Sequence, residues 1–246
     1  MTTDARQATS QRVSQRVSPR VRAARGPVIA QVADHLLAQH RDHPLRVAID
    51  GITAAGKTTL AMELADAIRD RGATAIRISG DDFHHQSAHR YRQGRHNPNG
   101  YYEDAYDLDA LARLVLLPLG PGGDRRYQAR YHDLATDELL HDESQTAPAE
   151  SVVLVEGSFL QRAELAGLWD EVIFVETSFD EARRRGAERD SALFGGLGRA
   201  RHAFDSRYHP ASRRYLAEVQ PQDRASVVIR NEDITRPEIL RLGLPA

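Results

Sequence analysis

One segment of eight residues constrains the fold more than any other part of the chain. Residues 51–58 read GITAAGKT and fit the pattern GxxxxGK[ST]. The β-rich run RVAID precedes them, and a helical pattern with Leu60, Leu64 and Ile68 in register follows. Glycines let a backbone wrap around a phosphate with its N–H groups pointing inward, and a helix N-terminus adds partial positive charge. The sequence therefore predicts a phosphate-binding loop (P-loop) between a strand and a helix.

The P-loop contains the only lysine of the chain. Of the 33 lysine and arginine residues, Lys57 alone is lysine. Arginine replaces lysine well on a solvated surface, but not where a compact ammonium group must fit a tight site. We expect Lys57 to reach the outer phosphates of a nucleotide and the Thr58 hydroxyl to ligate Mg²⁺. The residues predicted to hold the nucleotide are Gly51, Ile52, Thr53, Ala54, Ala55, Gly56, Lys57, Thr58 and Thr59.

Strand-like and helix-like patterns alternate along the chain. The runs that favour strands are 46–50, 74–79, 151–156, 171–176 and 225–229. The last three are nearly all apolar, as is typical of parallel strands buried on both faces. The helical patterns are 27–41, 57–69, 108–117, around 161–168, 179–190 and 210–218. Residues 84–103 are polar and predict a long loop. This alternation predicts an α/β fold with a parallel sheet.

Residues 1–25 differ from the rest of the chain. They carry six arginines against Asp4 and are rich in Ser, Gln and Thr. Such a composition predicts a disordered basic tail, which leaves residues 26–246 as one domain. Two alternatives stay open. Val13, Val17 and Val21 recur every four residues and would suit a transient helix, and an arginine- and serine-rich start is also typical of an organelle transit peptide.

The composition excludes several classes of protein. The chain has no cysteine, which excludes disulfide frameworks, thiolate zinc sites, Fe–S clusters and a cysteine nucleophile. No apolar run approaches about 18 residues and no apolar segment follows the start, so we expect neither a membrane span nor a secretory signal, and a cytoplasmic protein. The net charge is −2, and the chain beyond the basic tail is more acidic still, which argues against nucleic acid as a partner.

Acidic residues follow two of the predicted strands. Glu156 ends the run SVVLVE, and Asp81 and Asp82 follow the strand that ends in SG. Parallel sheets bind ligands at the carboxyl ends of their strands, so these carboxylates would face the phosphates. We expect Glu156 to support Mg²⁺ and one of the two aspartates to accept a proton from a substrate hydroxyl.

Six segments resemble the uridine kinase and phosphoribulokinase-like group of P-loop kinases. They are GITAAGKTT, SGDDFH, NPNGYYEDAYDLDAL, VVLVEG, RRRGAERD and ASVVIRN. The resemblance implies a three-layer P-loop NTPase fold with a helical lid, ATP and Mg²⁺ as cofactors, and phosphoryl transfer to an alcohol group. In its register Asp81 is the catalytic base and, with Thr58 and Glu156, belongs to the metal site.

The segment RRRGAERD is similar to the lid signature of that group. Arg185 and Arg189 occupy the best-matching positions, with Arg184 as an alternative, and residues four apart share a helix face. Arginines stabilise the charge that spreads over a transferring phosphoryl group. Residues 191–200 hold three glycines that could form a hinge. The alternative interpretation is a solvated arginine face.

The acceptor site is where the chain departs from the group. A nucleoside is the working assignment, with Phe83, His84, Tyr101, Tyr102, Asp104 and His132 as predicted contacts. Tyr101 and Tyr102, however, stand where the group has a ribose-binding aspartate, and His132 and Asp137 replace its base-reading tyrosine and histidine. A site without those polar partners should discriminate against uridine.

Other acceptors and another class of protein therefore stay open. The alternative acceptors are pantothenate, ribosylnicotinamide, a sugar phosphate and glycerate, and the arginines and tyrosines of 90–102 would suit a wall that stacks on a ring or grips an anion. A regulatory P-loop ATPase without an acceptor is the alternative from another class. A GTPase would need an N-K-x-D motif, which a chain with one lysine at Lys57 cannot contain. The oligomeric state is not predicted.

Overall fold

A central sheet of six strands organises the protein. The computed structural model describes residues 19–141 and 144–243. In this part of the chain the strands are β1 (Leu45–Gly51), β2 (Ala75–Ser79), β3 (Arg126–Gln128), β4 (His132–Asp133), β5 (Glu138–Leu139), β6 (Ser144–Thr146), β7 (Val152–Glu156), β8 (Glu171–Glu176), β9 (Val227–Arg230) and β10 (Glu238–Leu242). The sheet order is β2-β7-β1-β8-β9-β10, and only β10 runs antiparallel to its neighbour. The five predicted strands are confirmed to within two residues at either end.

Helices cover both faces of this sheet. In chain order they are α1 (Pro19–Leu37), α2 (Lys57–Asp70), α3 (Ser87–Arg90), α4 (Pro98–Asp104), α5 (Leu108–Leu111), α6 (Phe179–Asp190), α7 (Leu197–Ala203), α8 (His209–Val219) and α9 (Pro221–Arg224). A π-helical turn at Ala112–Leu116 continues α5, and another at Phe204–Tyr208 joins α7 to α8. None of the described helices is long and apolar enough to cross a membrane.

Two apolar cores hold the three layers together. One core packs α1 and α2 against the sheet through side chains that include Val32, Leu36 and Leu64. The other packs the opposite face against α5 and α8, with Phe159 and Tyr215 fully buried. Successive residues of a strand point to opposite faces, so Val47 and Ile49 lie in the first core and Ala48 in the second. The predicted three-layer α/β architecture with a parallel sheet is confirmed.

The N-terminal boundary differs from the prediction. Residues 1–18 of the predicted tail lie outside the described residues. Residues 19–25, assigned to the same tail, belong to α1, which ends at Leu37 rather than near residue 41. Arg25 is almost completely buried and ion-pairs with Glu63 of α2. This tertiary contact outweighs the polar composition that predicted disorder.

The predicted long loop at 84–103 is also wrong in part, because it contains α3 and most of α4. Both helices are short and lack an apolar repeat long enough to be recognised. The start of α4 did carry a signal: Pro98 occupies the first turn, and the Asn97 side chain accepts a hydrogen bond from the Asn99 amide at 2.8 Å.

The candidate site lies where three strands end side by side. Strand β7 lies between β1 and β2, and its last residue, Glu156, pairs in register with Ile49 and with Ser79. The P-loop leaves β1 directly beyond this point. The sheet thus brings together the P-loop, Glu156 and the segment after Ser79, as the parallel arrangement predicts.

Candidate active site

The P-loop turns sharply between β1 and α2, and both of its glycines are required by their surroundings. Gly51 has φ 151°, and a Cβ there would lie 2.6 Å from the carbonyl oxygen of Val175. Gly56 has φ 100°, and a Cβ there would overlap the side-chain amide of Asn231. Both positions have a backbone conformation that favours glycine. Helix α2 begins at Lys57, so its free N–H groups point into the loop.

Lys57 is held at the centre of the loop. Its Nζ donates to the carbonyl oxygens of Gly51 at 2.9 Å and Ile52 at 2.8 Å, and to Ser158 Oγ at 3.3 Å. Burial lowers the pKa of Lys57, whereas the charge of Glu156 raises it. The ammonium group therefore sits in a nest of oxygen atoms that is shaped for a compact cation.

Thr58 and Ser79 both bind Glu156. The Thr58 hydroxyl donates to Oε2 of Glu156 at 3.0 Å, and the Ser79 hydroxyl donates to Oε1 at 3.1 Å. Burial, with a further contribution from the charge of Asp81, raises the pKa of Glu156 to about 7. A buried carboxylate with a raised pKa would be stabilised by a cation, and hydroxyl and carboxylate oxygens are the ligands that Mg²⁺ prefers.

This donor set fits a metal that is shared with a nucleotide. The described residues contain no group of three histidine, cysteine, aspartate or glutamate side chains able to hold a metal ion alone. Protein sites for Mg²⁺ often supply only one or two ligands, and phosphates and water complete the shell. Thr58 and Glu156 would be those ligands here.

The two aspartates after β2 have different surroundings. Asp81 is exposed, and one of its carboxylate oxygens accepts a hydrogen bond from the Tyr106 hydroxyl at 3.3 Å. Asp82 is half-buried with Arg130 3.6 Å away, and burial raises its pKa to about 6. Its carbonyl oxygen accepts from the amide of Tyr131. Asp82 thus holds the neighbouring segment, whereas Asp81 lies beside the P-loop side chains.

A chain of hydroxyl groups connects Asp81 to the P-loop. Thr53 Oγ1 lies 3.3 Å from the Tyr101 hydroxyl, which lies 3.3 Å from the Tyr106 hydroxyl. Tyr106 then donates to Asp81. The His84 ring, 4.3 Å from the Tyr106 ring, is buried, which lowers its pKa to about 4. The structure therefore places His84 beside Asp81 and links Tyr101 to it through Tyr106, and their contact with an acceptor stays a prediction.

The two predicted lid arginines, Arg185 and Arg189, have different partners. Arg189 hydrogen-bonds to Asp190, which raises its pKa, and it lies close enough to Asp81 to feel the charge of that carboxylate. Arg185 instead donates to the carbonyl oxygens of Asn231 at 2.8 Å and Glu232 at 2.6 Å. Of the two, Arg189 interacts by charge with Asp81 and Lys57, and Arg185 ties α6 to the segment after β9. The alternative, Arg184, pairs with Glu181 and Glu188 at the surface.

Four other residues predicted to contact the acceptor are buried among neighbouring side chains. Phe83 is completely buried and stacks on Tyr131, and Tyr102 packs its ring against Phe159. Asp104 has no exposed surface and accepts hydrogen bonds from Arg92 and Gln93. Neighbouring side chains cover these three positions, so each has a structural role here, and their contact with an acceptor stays a prediction.

The fourth, His132, is also fully buried. Its Nε2 lies 3.0 Å from Asp137, whose carboxylate in turn accepts from the amide and hydroxyl of Ser87. This pair joins the β4–β5 hairpin to α3. The residues that replace the base-reading pair of the resembled group thus bind each other.

Several residues of the site carried no recognised signal. Tyr106 lies within a segment that the resemblance covered, but its contact with Asp81 depends on the fold. Asn231 donates to the Ala55 carbonyl at 2.7 Å, and Arg25 donates to Asn231 at 3.0 Å. Asp50 is fully buried beneath the loop and accepts from Tyr215, Gln161 and the Gly51 amide. Asn231 ends the resembling segment ASVVIRN, but its contacts with Ala55 and Arg25 also depend on the fold.

Comparisons with known proteins find similarity in structure alone. No family model matches the chain, and no curated protein matches it by sequence. Among solved structures it is similar to a possible uridine kinase from Bacillus stearothermophilus, with 24% identity and a TM-score of 0.63 over 81% of this chain and 96% of the other. It is similar to D-glycerate 3-kinase from Cryptococcus neoformans, with 17% identity and a TM-score of 0.57 over 91% and 100%. It is also similar to a phosphoribulokinase from Rhodobacter, with 19% identity and a TM-score of 0.53 over 83% and 76%.

These three proteins are P-loop kinases that are named for different acceptors. At such identities the likeness establishes the fold and leaves the acceptor open. The Lys57 nest and the Thr58–Glu156 contact occur at the position where this fold binds a nucleotide. The chain thus has the fold of the uridine kinase and phosphoribulokinase-like P-loop kinases, and the resemblance inferred from its sequence is confirmed.

Proposed function

We propose that this protein is a kinase that transfers the γ-phosphoryl group of ATP to a hydroxyl group of a small molecule. The observation that carries the proposal is the position of Asp81, which is exposed beside the P-loop and joined to Thr53 through Tyr106 and Tyr101. A nucleotide switch has no need of an exposed carboxylate there, whereas a kinase needs one to accept the proton of its acceptor.

Each residue of the site has a separate role in the proposed reaction. The P-loop amides and Lys57 would hold the phosphates, and Thr58 and Glu156 would hold Mg²⁺, which would supply positive charge to neutralise the phosphates. Asp81 takes the hydroxyl proton as the acceptor oxygen bonds to the γ-phosphorus and the bridging oxygen leaves with ADP. Arg189 lies where a cation would stabilise the transferring group.

The acceptor itself is a separate part of the proposal. The pairing of His132 with Asp137 supports an acceptor other than uridine, because His132 is fully buried and is not available to read a base. We expect kcat/KM for uridine and cytidine to lie below about 10⁴ M⁻¹s⁻¹, the lower end for ordinary enzymes.

An ATP-consumption assay with a panel of acceptors tests both parts. The panel comprises uridine, cytidine, pantothenate, ribosylnicotinamide, glycerate and a sugar phosphate, and each reaction is compared with one that lacks an acceptor. Consumption that depends on an acceptor and on Asp81 supports a kinase. Equal consumption with and without every acceptor would instead indicate a regulatory ATPase. A kcat/KM for uridine above about 10⁴ M⁻¹s⁻¹ would instead support a nucleoside as the acceptor.

A further inference from the structure

Three arginines surround one tyrosine ring next to the proposed acceptor site. The guanidinium carbon of Arg95 lies 4.5 Å from the centre of the Tyr91 ring, that of Arg90 lies 4.9 Å away, and that of Arg207 lies 5.6 Å away. Arg90 ends α3, Arg95 follows in the next turn, and Arg207 comes from the π-helical turn between α7 and α8. Two distant parts of the chain therefore bring their positive charges to the same place.

The charge of these arginines is poorly compensated. Within residues 19–141 and 144–243, neither Arg95 nor Arg207 has a carboxylate within ion-pair distance, and Arg90 approaches Asp137 only to 3.9 Å. The Nε atoms of Arg90 and Arg207 are buried without a hydrogen-bond partner, and the Arg90 residue is only 7% exposed. A buried N–H donor without an acceptor is costly, and such donors are rare in native proteins unless a ligand or a solvent molecule binds them.

The cluster lies beside the residues proposed to perform the chemistry. The Arg207 guanidinium carbon is 4.8 Å from the centre of the Tyr101 ring, and Tyr101 is the residue whose hydroxyl bonds to Tyr106 and Thr53. Both Asp81 and Arg207 act by charge on the pKa of Tyr101, which burial raises. Tyr101 and Tyr106 thus connect the positive cluster to the carboxylate that would accept the proton.

We propose that the acceptor carries an anionic group, a carboxylate or a phosphate, which binds the guanidinium groups of Arg207, Arg90 and Arg95 while its hydroxyl lies at Asp81. This inference rests on the proposed kinase function and names the class of its substrate, a hydroxy acid or a phosphorylated sugar. Planar guanidinium groups that stack on tyrosine rings are suited to this task, because stacking fixes their orientation and leaves their N–H edges for the anion.

Matched pairs of acceptors test the inference. Glycerate is compared with glycerol, and ribose 5-phosphate with ribose, so that each pair differs mainly in the anionic group. We expect the charged member of at least one pair to have at least a tenfold higher kcat/KM, and the pair that shows it distinguishes carboxylate from phosphate. In Arg207→Gln, the kcat/KM values of the charged and uncharged members of that pair should differ by no more than about threefold. The matched control is Arg201→Gln, which changes an exposed arginine of α7 and should keep the wild-type ratio.

Calorimetry gives a readout that does not depend on turnover. With MgADP bound, glycerate or ribose 5-phosphate should bind the wild type and Arg201→Gln, and binding should be at least tenfold weaker in Arg207→Gln. If that variant does not fold by circular dichroism, Arg95→Gln, which changes an exposed member of the cluster, should weaken binding severalfold. Equal use of charged and uncharged acceptors, or binding that ignores both substitutions, would overturn the inference and leave the kinase function standing. ATP consumption that is equal with and without every acceptor would contradict the kinase function, and calorimetry would still decide whether the anion site exists.

Discussion

The Nε atom of Arg25 lies 2.8 Å from Oε2 of Glu63, and both side chains are almost completely buried. Arg25 also donates to the Asn231 side chain at 3.0 Å and to the Ile234 carbonyl at 2.8 Å. Asn231 in turn donates to the Ala55 carbonyl of the P-loop. Helix α1 is therefore linked through two side chains to the loop that would hold the nucleotide.

Removal of the Arg25 guanidinium should destabilise the protein strongly. Arg25→Met leaves the Glu63 carboxylate buried without its partner, which typically costs about 3–5 kcal/mol in the free energy of unfolding. Urea unfolding followed by circular dichroism measures this cost. The control is Arg22→Gln, which removes an exposed pair with Asp66 and should cost less than about 1 kcal/mol. A similar small cost for Arg25→Met would show that the buried pair does not hold α1 in place.

The sequence predicted those parts of the protein whose signals are local. The run that ends at Glu156 is apolar throughout, as a central strand requires, and the spacing from Gly51 to Thr58 specifies the loop and its chemistry. Carboxyl ends of parallel strands meet at one edge of the sheet, so Asp81 and Glu156 could be placed near Lys57 before any contact was known.

The missed features depend on contacts between distant residues. Arg25 is polar and lies in a segment of low apolar content, and its burial is explained by its contacts with Glu63, Asn231 and the Ile234 carbonyl. Tyr106 reaches Asp81, and Arg207 reaches Tyr91, only because the fold brings their segments together. No pattern of one sequence encodes such pairs, which is why the acceptor site was the least predictable region.

Lys57 should not be replaceable by the other basic side chains of this chain. In Lys57→Arg the planar guanidinium is too large for the nest formed by the Gly51 and Ile52 carbonyls, so phosphoryl transfer should be lost, as it should be in Lys57→Ala. Circular dichroism should show that both variants fold, because the side chain contacts the loop rather than either apolar core. Full ATP turnover by Lys57→Arg would contradict this assignment.

Asp81 and Asp82 should respond differently to the same substitution. Asp81→Asn removes the group proposed to take the hydroxyl proton, and we expect kcat to fall by a factor of about 10² or more with little change in nucleotide affinity. Asp82→Asn is the matched control, because Asp82 pairs with Arg130 and its carboxylate has no contact with the Tyr106 hydroxyl. Steady-state kinetics of both variants decide the question. A large loss in Asp82→Asn with a benign Asp81→Asn would place the base one residue further along.

His209 should make the stability of the protein depend on pH. Its ring is buried against Phe179 and Phe204, its Nε2 has no hydrogen-bond partner, and burial lowers its pKa to about 4. The unfolded chain takes up this proton near about pH 6.5. The neutral, buried His209 therefore contributes its full stabilisation of the folded protein above about pH 6.5, and this contribution is lost as the pH falls toward 4.

Thermal unfolding at pH 7.5 and 5.0 measures this effect. We expect the drop in Tm on acidification to be smaller in His209→Leu than in the wild type, by at least about 2 °C. His202→Leu, which changes an exposed histidine of α7, should keep the wild-type drop. An unchanged drop in His209→Leu would show that His209 does not contribute to the acid sensitivity.

Gly186 should be intolerant of a single methyl group. It lies within α6, where a Cβ would overlap the fully buried ring of Phe204. Alanine favours a helix over glycine by about 1 kcal/mol, but overpacking of a filled core typically costs about 1–3 kcal/mol, so the net effect of Gly186→Ala should be destabilising. Because α6 also carries Arg185 and Arg189, a displaced helix should lower kcat/KM as well.

Gly198→Ala provides the opposite case in the adjacent helix. A Cβ at Gly198 would meet no atom within 4 Å, so the substitution in α7 should gain up to about 1 kcal/mol from helix propensity alone. Urea unfolding of the two variants side by side separates packing from propensity. If Gly186→Ala were as stable as Gly198→Ala, the contact between α6 and Phe204 could adjust without cost, and it would not fix the positions of Arg185 and Arg189.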